Sequence, residues 1–565
     1  ARWMLAGACG WVVLVAVVFV FRDGGAWALP RLDLTHAKTN TPSAVTRERL
    51  APYRDGLTAE LVVSDRIHMP ASLGALESRL RTTLRGLGIS FRTIRPEDLA
   101  VEERQKLRAE GIAPFYIDGV QYDAKVAVPV WSALRLSYRN RVQVVPRLDQ
   151  RMLPHLEFLL AAAVDRFRTR SGPHIGVLSD MPRLSAAEAH ADYQQKGLMA
   201  PVGSDVYSRV KSMLTQYGYR ISYINPKTPE FPEGMDLLLW LQPRYSDKII
   251  PKFSEYLAAG GKALVALQHY NVQQRQYRGA GFETVYWPQP QFHRFNRYLD
   301  HLGARQVGEK RADEAGEVLF DRNQGHLALV TQVSRSAFRE YDTQQVARPF
   351  LIRALGSGLS SRSVVTSRLG ELLFIWGSRF SLDQQQLSAR GLTAEVLVST
   401  GSRAWTYSWK GGWIPEEAFV GPGEPDAFLD GPQPLAVLLE GTFPQFATVQ
   451  NEDGRSLLAP SDAPPRAEQP AGELLLIGCS EMFKNPNLHA PGQQHAQFLL
   501  NAVAYLAHGG EMAELQARQP SAESFPAPSA TVKAGLRGWV VALSPVLLLL
   551  YGTLRYRHRR RPVVD

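Results

Sequence analysis

Three apolar runs in this chain end on polar side chains able to bind a ligand or carry a proton. Ser179 and Asp180 follow the run that starts at His174, Gln268 and His269 follow Lys262 to Leu267, and Ser480 and Glu481 follow the run that starts at Glu473. In open α/β sheets ligands bind beyond the carboxyl ends of the strands. If these runs are neighbouring strands, two carboxylates and an imidazole share one rim, a set suited to acid–base work or to a polar ligand. Polar residues at strand ends also serve simply as turn formers and helix caps, and that is the stronger reading. Cys479 follows a glycine at a strand-to-helix turn, where a nucleophile would stand. Gly-Cys-Ser lacks the second small residue of a G-x-S-x-G elbow, and a single cysteine is more often a buried small hydrophobe. His174 and His269 read first as hydrogen-bonded structural residues. Trp405, Trp409 and Trp413 recur every four residues with Tyr407 between them. They form either a strip that stacks on sugars or a partner, or a hairpin turning at Gly411 and Gly412 with its aromatics packed inward.

The elements that must position these residues follow from periodicity. Leu61 to Ser64 and Ile89 to Ile94 read as strands around an amphipathic helix from Ala71 to Leu87, with a charged helix from Pro96 to Glu110 after them. A β-rich run from Lys125 to Val145 completes residues 23–149 as an α/β domain of thioredoxin-like outline, without redox cysteines. A helix from Gln150 to Arg170 leads out of it. Strands at His174, Arg220 to Ile224, Met235 to Leu241 and Lys262 to Leu267 alternate with helices at Val206 to Tyr217 and Ile249 to Ala259. That alternation predicts a doubly wound parallel sheet over residues 150–270. Residues 271–472, rich in Gly, Pro and aromatics and without a clean period, read as a mixed α+β insertion. The pattern recovers over residues 473–510, whose strand and helix return to the sheet, and residues 511–535 read as a linker.

The two ends are apolar. Trp3 to Phe21 holds nineteen residues without a charge, about what a bilayer core requires. A secretory signal is the alternative, since Ala26-Trp27-Ala28 looks like a small-residue cleavage site, but the run is long for one and charges intervene. Gly538 to Leu554 is a second uncharged run, followed by Arg555, Arg557, Arg559, Arg560 and Arg561. Residues 1–22 and 536–555 are therefore expected to be transmembrane helices, with residues 556–565 a basic cytoplasmic tail. The positive-inside rule puts both termini in the cytoplasm and the bulk of the chain on the other side of a bacterial inner membrane. The start at Ala1, close against the apolar run, suggests a longer polypeptide.

Composition agrees with several exported globular domains: 565 residues, 45% hydrophobic and 21% charged. Of the net charge of +10, residues 555–565 contribute +4 and most of the rest is diffuse, which is not a nucleic-acid footprint. Two cysteines, Cys9 and Cys479, exclude a disulfide framework. Without CxxC pairs or HExxH no metal site of standard spacing arises, and no cofactor is expected. No G-x-x-x-x-G-K-[ST] loop is present, so any energy from ATP comes from a partner.

Several stretches resemble the auxiliary component of gliding-motility-type ABC transporters, the GldG-like family. After the first apolar run, Asp33, Leu34 and Thr35 match its opening triplet, while Asn40 to Ser43 departs from the usual Thr-Leu-Ser run. Asp236 opens an apolar strand and Gly260-Gly261 precede the next one, as in the family. Ala394 to Trp405 and Gly472 to Asn487 are similar to its later strand and strand–helix features. Where the family commonly has Gly-Asp-Ser-Asp-Phe, this chain has Gly478-Cys479-Ser480-Glu481-Met482. The resemblance covers nearly the whole chain. It implies a non-enzymatic partner of an ABC permease and ATPase. Membrane lipid is a further expected partner, and an envelope polymer or lipid a candidate substrate that the sequence does not identify. An exported α/β hydrolase-like enzyme and a cell-envelope polymer-binding module are the alternatives.

Overall fold

The computed structural model describes residues 41–65, 67, 69–70, 73–121, 124–179, 205–244, 246–278, 282–310, 314–322, 325–333, 341–450, 456–460, 470–518, 535 and 539. The two expected spans apart from Trp539, the basic tail, Cys9, the Asp33-Leu34-Thr35 triplet and Asp180 lie outside the described residues. Among the described residues no helix is long and apolar enough to cross a membrane.

The first unit opens with α1 (Ala44–Leu50), whose start is capped by the Ser43 hydroxyl accepting the Thr46 N–H at 3.0 Å. Then follow β1 (Leu57–Val63), α2 (Leu76–Gly86), β2 (Ser90–Ile94), α3 (Val101–Ala109), the hairpin β3 (Phe115–Gln121) and β4 (Ala124–Val130), β5 (Ser132–Tyr138) and β6 (Arg141–Val145). The sheet order is β2-β1-β5-β6, with β1 parallel to β2 and antiparallel to β5. Central β1 is buried on both faces: Leu61 and Val63 join one core cluster and Val62 another. Its one carboxylate, Glu60, is 9% exposed and paired with Arg92 on β2 and Arg135 on β5. Burial opposes its charge, but the two guanidiniums outweigh that and hold its carboxyl below the usual range.

Helix α4 (Leu156–Thr169) carries the chain into the second unit. There β7 (His174–Ser179), α5 (Ser208–Gln216), β8 (Arg220–Ile224), β9 (Leu237–Leu241), α6 (Ile250–Ala258) and β10 (Lys262–Ala266) follow in turn. After the hairpin β11 (Tyr270–Arg278) and β12 (Phe282–Pro290) come α7 (Asn296–Leu302), β13 (Ala304–Gln306), β14 (Gly316–Asp321), β15 (Gly325–Val333), β16 (Tyr341–Leu355) and β17 (Glu371–Ile375). Next are β18 (Phe380–Leu382), α8 (Gln384–Ala389), β19 (Leu392–Ser399), β20 (Ala404–Trp409), β21 (Pro434–Gly441) and the hairpin β22 (Phe446–Gln450) and β23 (Ser456–Pro460). The described fold closes with β24 (Gly472–Ile477), α9 (His495–His508) and α10 (Gly510–Ala517).

The main sheet has the order β19-β21-β24-β10-β9-β7-β8. From β8 to β24 all neighbours are parallel, whereas β21 and β19 join antiparallel. Strand β24 lies in this sheet, beside β10. The boundary of the expected insertion is corrected, because β19 and β21 fall within residues 271–472 yet extend the main sheet. The reason is local: Leu435, Ala436 and Leu438 face one core cluster while Val437 and Leu439 face the other, so β21 is a strand buried on both faces. The same rule explains Leu-Leu-Leu-Trp-Leu in β9, where Leu237, Leu239 and Leu241 pack toward α4, α5 and α9, and Leu238 and Trp240 toward α6 and α7.

Two glycines stop α6. Gly260 has φ +83° and donates to Leu257 O, and Gly261 donates to Tyr256 O at 2.9 Å, where a Cβ would stand only 2.5 Å from that oxygen. Asp236 ties the starts of β9 and β7, its carboxylate accepting the His174 N–H at 2.7 Å.

The expected linker at 511–535 is also corrected at its start. Residues 510–517 form α10, which buries Met512, Ala513 and Leu515 against α4 and α1. Arg518 then pairs with Glu157 at 2.9 Å and donates to Thr41 O. Helical spacing of apolar residues inside a polar stretch is what the composition concealed.

Candidate functional site

The parallel part of the sheet runs β8-β7-β9-β10-β24, so the chain reverses its winding direction between β7 and β9. In open α/β sheets ligands bind at such a switch point, beyond the carboxyl ends of the strands. Ser179 ends β7, Gln268 and His269 follow β10, and Ser480 and Glu481 follow β24, on the same rim. All but Glu481 are buried.

Apart from the Ser480 hydroxyl, which is buried without a partner, their polar atoms are engaged with one another and with the main chain. Gln268 accepts the Ser480 N–H at 2.9 Å through Oε1 and donates from Nε2 to Tyr270 O and Trp376 O, at 3.1 and 3.0 Å. Glu481 pairs with Lys484. His269 takes part in a relay whose tautomers are dictated by its ends. The Gln306 carbonyl can only accept, so His269 Nε2, 3.3 Å away, carries a proton. His269 Nδ1 is then the acceptor for His293 Nε2 at 3.1 Å, and His293 Nδ1 accepts the Phe295 N–H at 3.0 Å. Both rings are neutral and fully bonded. Burial drives their pKa values down, to about 3 for His269, helped by His293, and to about 4 for His293.

Sequence reasoning missed the centre of this rim. Gln242 is the first residue after β9, fully buried, with φ +52°. It accepts from the Tyr207 hydroxyl at 3.0 Å and donates to Asn271 Oδ1 at 2.8 Å, and Lys484 Nζ lies 3.4 Å from the same Asn271 oxygen. The strand-end rule used for the other three strands finds Gln242 as well. Tyr207, His293 and Asn271 had no such signal, because they arrive from a helix start and from the hairpin's flanks.

Cys479 is buried, its thiol donating to Ile375 O at 3.4 Å, and burial pushes its pKa up to about 12. A nucleophilic thiol needs the reverse setting, electropositive and accessible. The side chains of His269, Cys479 and Glu481 are each committed to a different partner. Among the described residues no group of three or more His, Cys, Asp or Glu is placed to hold a metal ion. In a Cys9→Ser background the native protein is expected to resist iodoacetamide at mildly alkaline pH and to be labelled fully once denatured. Stoichiometric labelling of the native state would overturn this account of Cys479.

The three tryptophans do not share one surface. Trp405 and Trp409 are buried in an aromatic core with Phe320 and Tyr270, and Trp409 Nε1 donates to Gly412 O at 3.0 Å. Trp413 is 59% exposed, beside Trp287 at 6.3 Å. The expected hairpin is replaced by pairing of β20 with β14.

The site is thus a closed polar rim at the switch point of the sheet, with most of its hydrogen bonds spent internally and its imidazoles uncharged. A family described as an ABC-type uncharacterized transport system matches residues 172–503, from the start of β7 into α9. No curated protein and no solved structure matches the chain.

Proposed function

Because the chain belongs to this family of ABC-type transport systems, as an auxiliary component, we propose that it is a non-enzymatic membrane subunit of the gliding-motility type. In this reading residues 1–22 and 536–555 span a bacterial inner membrane and pack with the permease, and an ATPase subunit supplies the energy. The described units stand outside the cytoplasm, where they engage an envelope polymer, a lipid or a periplasmic partner, and both termini stay inside. The single observation that carries the proposal is the family match over residues 172–503.

The fold supports it in two ways. The order β2-β1-β5-β6, with β5 antiparallel to β1, suits a thioredoxin-like outline for residues 23–149, and the main sheet with helices on both faces suits a doubly wound domain. Both are scaffolds that carry binding as readily as catalysis. The rim favours a structural over a catalytic role, because its neutral, doubly bonded histidines leave no imidazole lone pair for a substrate proton.

The test is gentle extraction of the full chain from its native membrane, followed by identification of what accompanies it. A permease and an ATPase are expected in constant ratio to the chain. Quantitative recovery of the chain without either sinks the proposal.

A further inference from the structure

A cavity of about 650 Å³ opens where the turn at residues 147–155, leaving the first unit, crosses α5 and the segment between β24 and α9. Its size falls in the range of small-molecule sites. Arg147, Asp149 and Arg151 reach it from the turn, Arg209 from α5, and His489 and Gln493 from the segment before α9.

The cavity is electropositive. It holds three guanidiniums against one carboxylate, and its partly exposed imidazole is neutral: burial, then Arg151 and Arg209, drive the His489 pKa down to about 4, against the pull of Asp149. Arg151 and Arg209 come from different units and line the same cavity, beside His489. Arg209 is fixed in place, with Nη1 donating to Asn485 O at 2.8 Å and its main-chain N–H donating to Asn485 Oδ1 at 2.9 Å. Arg147 stacks over the Phe115 ring at 4.2 Å, and its Nε is buried without a partner, as is Gln493 Oε1. Like charges drawn together beside unspent polar atoms are costly to a fold unless something compensates them.

We propose that this cavity binds a small ligand bearing oxyanion groups, a phosphate ester or a polycarboxylate, gripped by Arg151 and Arg209 across the junction of the two units. The guanidinium fork matches both oxyanions, and Gln493 Oε1 accepts a hydroxyl proton from the body of the ligand. The site stands apart from the strand-end rim and does not depend on the transporter assignment. Since the ligand would bridge two units, its binding stabilises the folded chain by mass action.

The full chain is titrated calorimetrically with pyrophosphate and, separately, with citrate, each against sodium chloride of matched ionic strength. Saturable one-to-one binding of at least one anion is expected, weakened about tenfold or more by Arg151→Gln and by Arg209→Gln, both on exposed side chains. Arg79→Gln, on the far helix α2, leaves it unchanged. Binding of pyrophosphate alone identifies a phosphate ester, of citrate alone a polycarboxylate, and of both the wider oxyanion class. In the wild-type chain, His489 followed by NMR shows a pKa that rises when the anion binds, a shift no purely structural role produces. Absence of saturable binding by either anion, wild-type affinity in both arginine variants, or an unmoved His489 titration overturns the proposal.

Discussion

Lowering the pH from about 7 to about 5 is expected to remove roughly 5 kcal/mol of stability through three enclosed imidazoles alone. His155, His269 and His293 are buried, and burial lowers their pKa values to about 4, about 3 and about 4. In the unfolded chain the same groups titrate near 6.5. The unfolded state therefore takes up protons first. The stabilisation is complete above about pH 6.5 and is lost as the pH falls toward the folded values. Each imidazole accounts for about 2 kcal/mol over that interval, against a typical total of about 5–15 kcal/mol. His489, His495 and His508 are shifted the same way and steepen the loss. Glu60, whose shift is downward from a carboxylate value, acts in a lower window and does not blur the result. Denaturant unfolding across this range is expected to show uptake of about three protons or more near pH 5.5, read from the slope of stability against pH. Uptake of fewer than about one proton would refute the neutral relay on which the rim is built.

That relay also marks where the sequence stopped being informative. The parallel strands were legible because each is buried on both faces and so reads as an unbroken apolar run. Arg220 to Ile224 was delimited to the residue, and Gly260-Gly261 marked a helix stop that the left-handed Gly260 bears out. The strand-end rule likewise led to Gln268, His269 and Ser480, which do share a rim. What it could not supply was their partners. His293 sits on the far side of a hairpin, and Trp376 after a strand of another sheet, so the bonds that neutralise His269 and occupy Gln268 join segments with no local relation.

The middle of the chain was opaque for the same reason. Strand β20 pairs with β14 and β21 with β24, and pairings over such distances impose no period on the residues between. The tryptophans illustrate it. A spacing of four suggested a strip, but on a strand residues 405, 407 and 409 lie on one face by the period of two. That face is turned into the aromatic core, while Trp413 lies past the end of β20 and is exposed.

Replacing one hydrogen by a methyl group at Gly478 is expected to cost at least about 4 kcal/mol, enough to prevent accumulation of folded protein. Gly478 follows β24, immediately before Cys479, and the main chain on both sides holds it in place. Its N–H donates to Leu435 O and its carbonyl accepts from the Ser378 N–H, each at 2.8 Å. A Cβ at this position would stand 2.0 Å from Ser378 O and 3.2 Å from Leu435 O. Those neighbours are backbone atoms, so no side chain can swing aside to make room. Relief requires parting β24 from β21 or from the segment after β17, which breaks one or both buried bonds and leaves their groups unpaired. Overpacking alone costs about 1–3 kcal/mol and each unpaired buried group a similar amount. Gly423→Ala is the control, since no atom lies within 4 Å of a Cβ there, and its stability is expected within about 0.5 kcal/mol of wild type. Chemical denaturation of both variants, with soluble yield as a second readout, separates the cases. A Gly478→Ala protein that melts like Gly423→Ala would show that the turn after β24 yields freely. The glycine of this motif would then owe its place to something other than the close approach of two neighbouring strands.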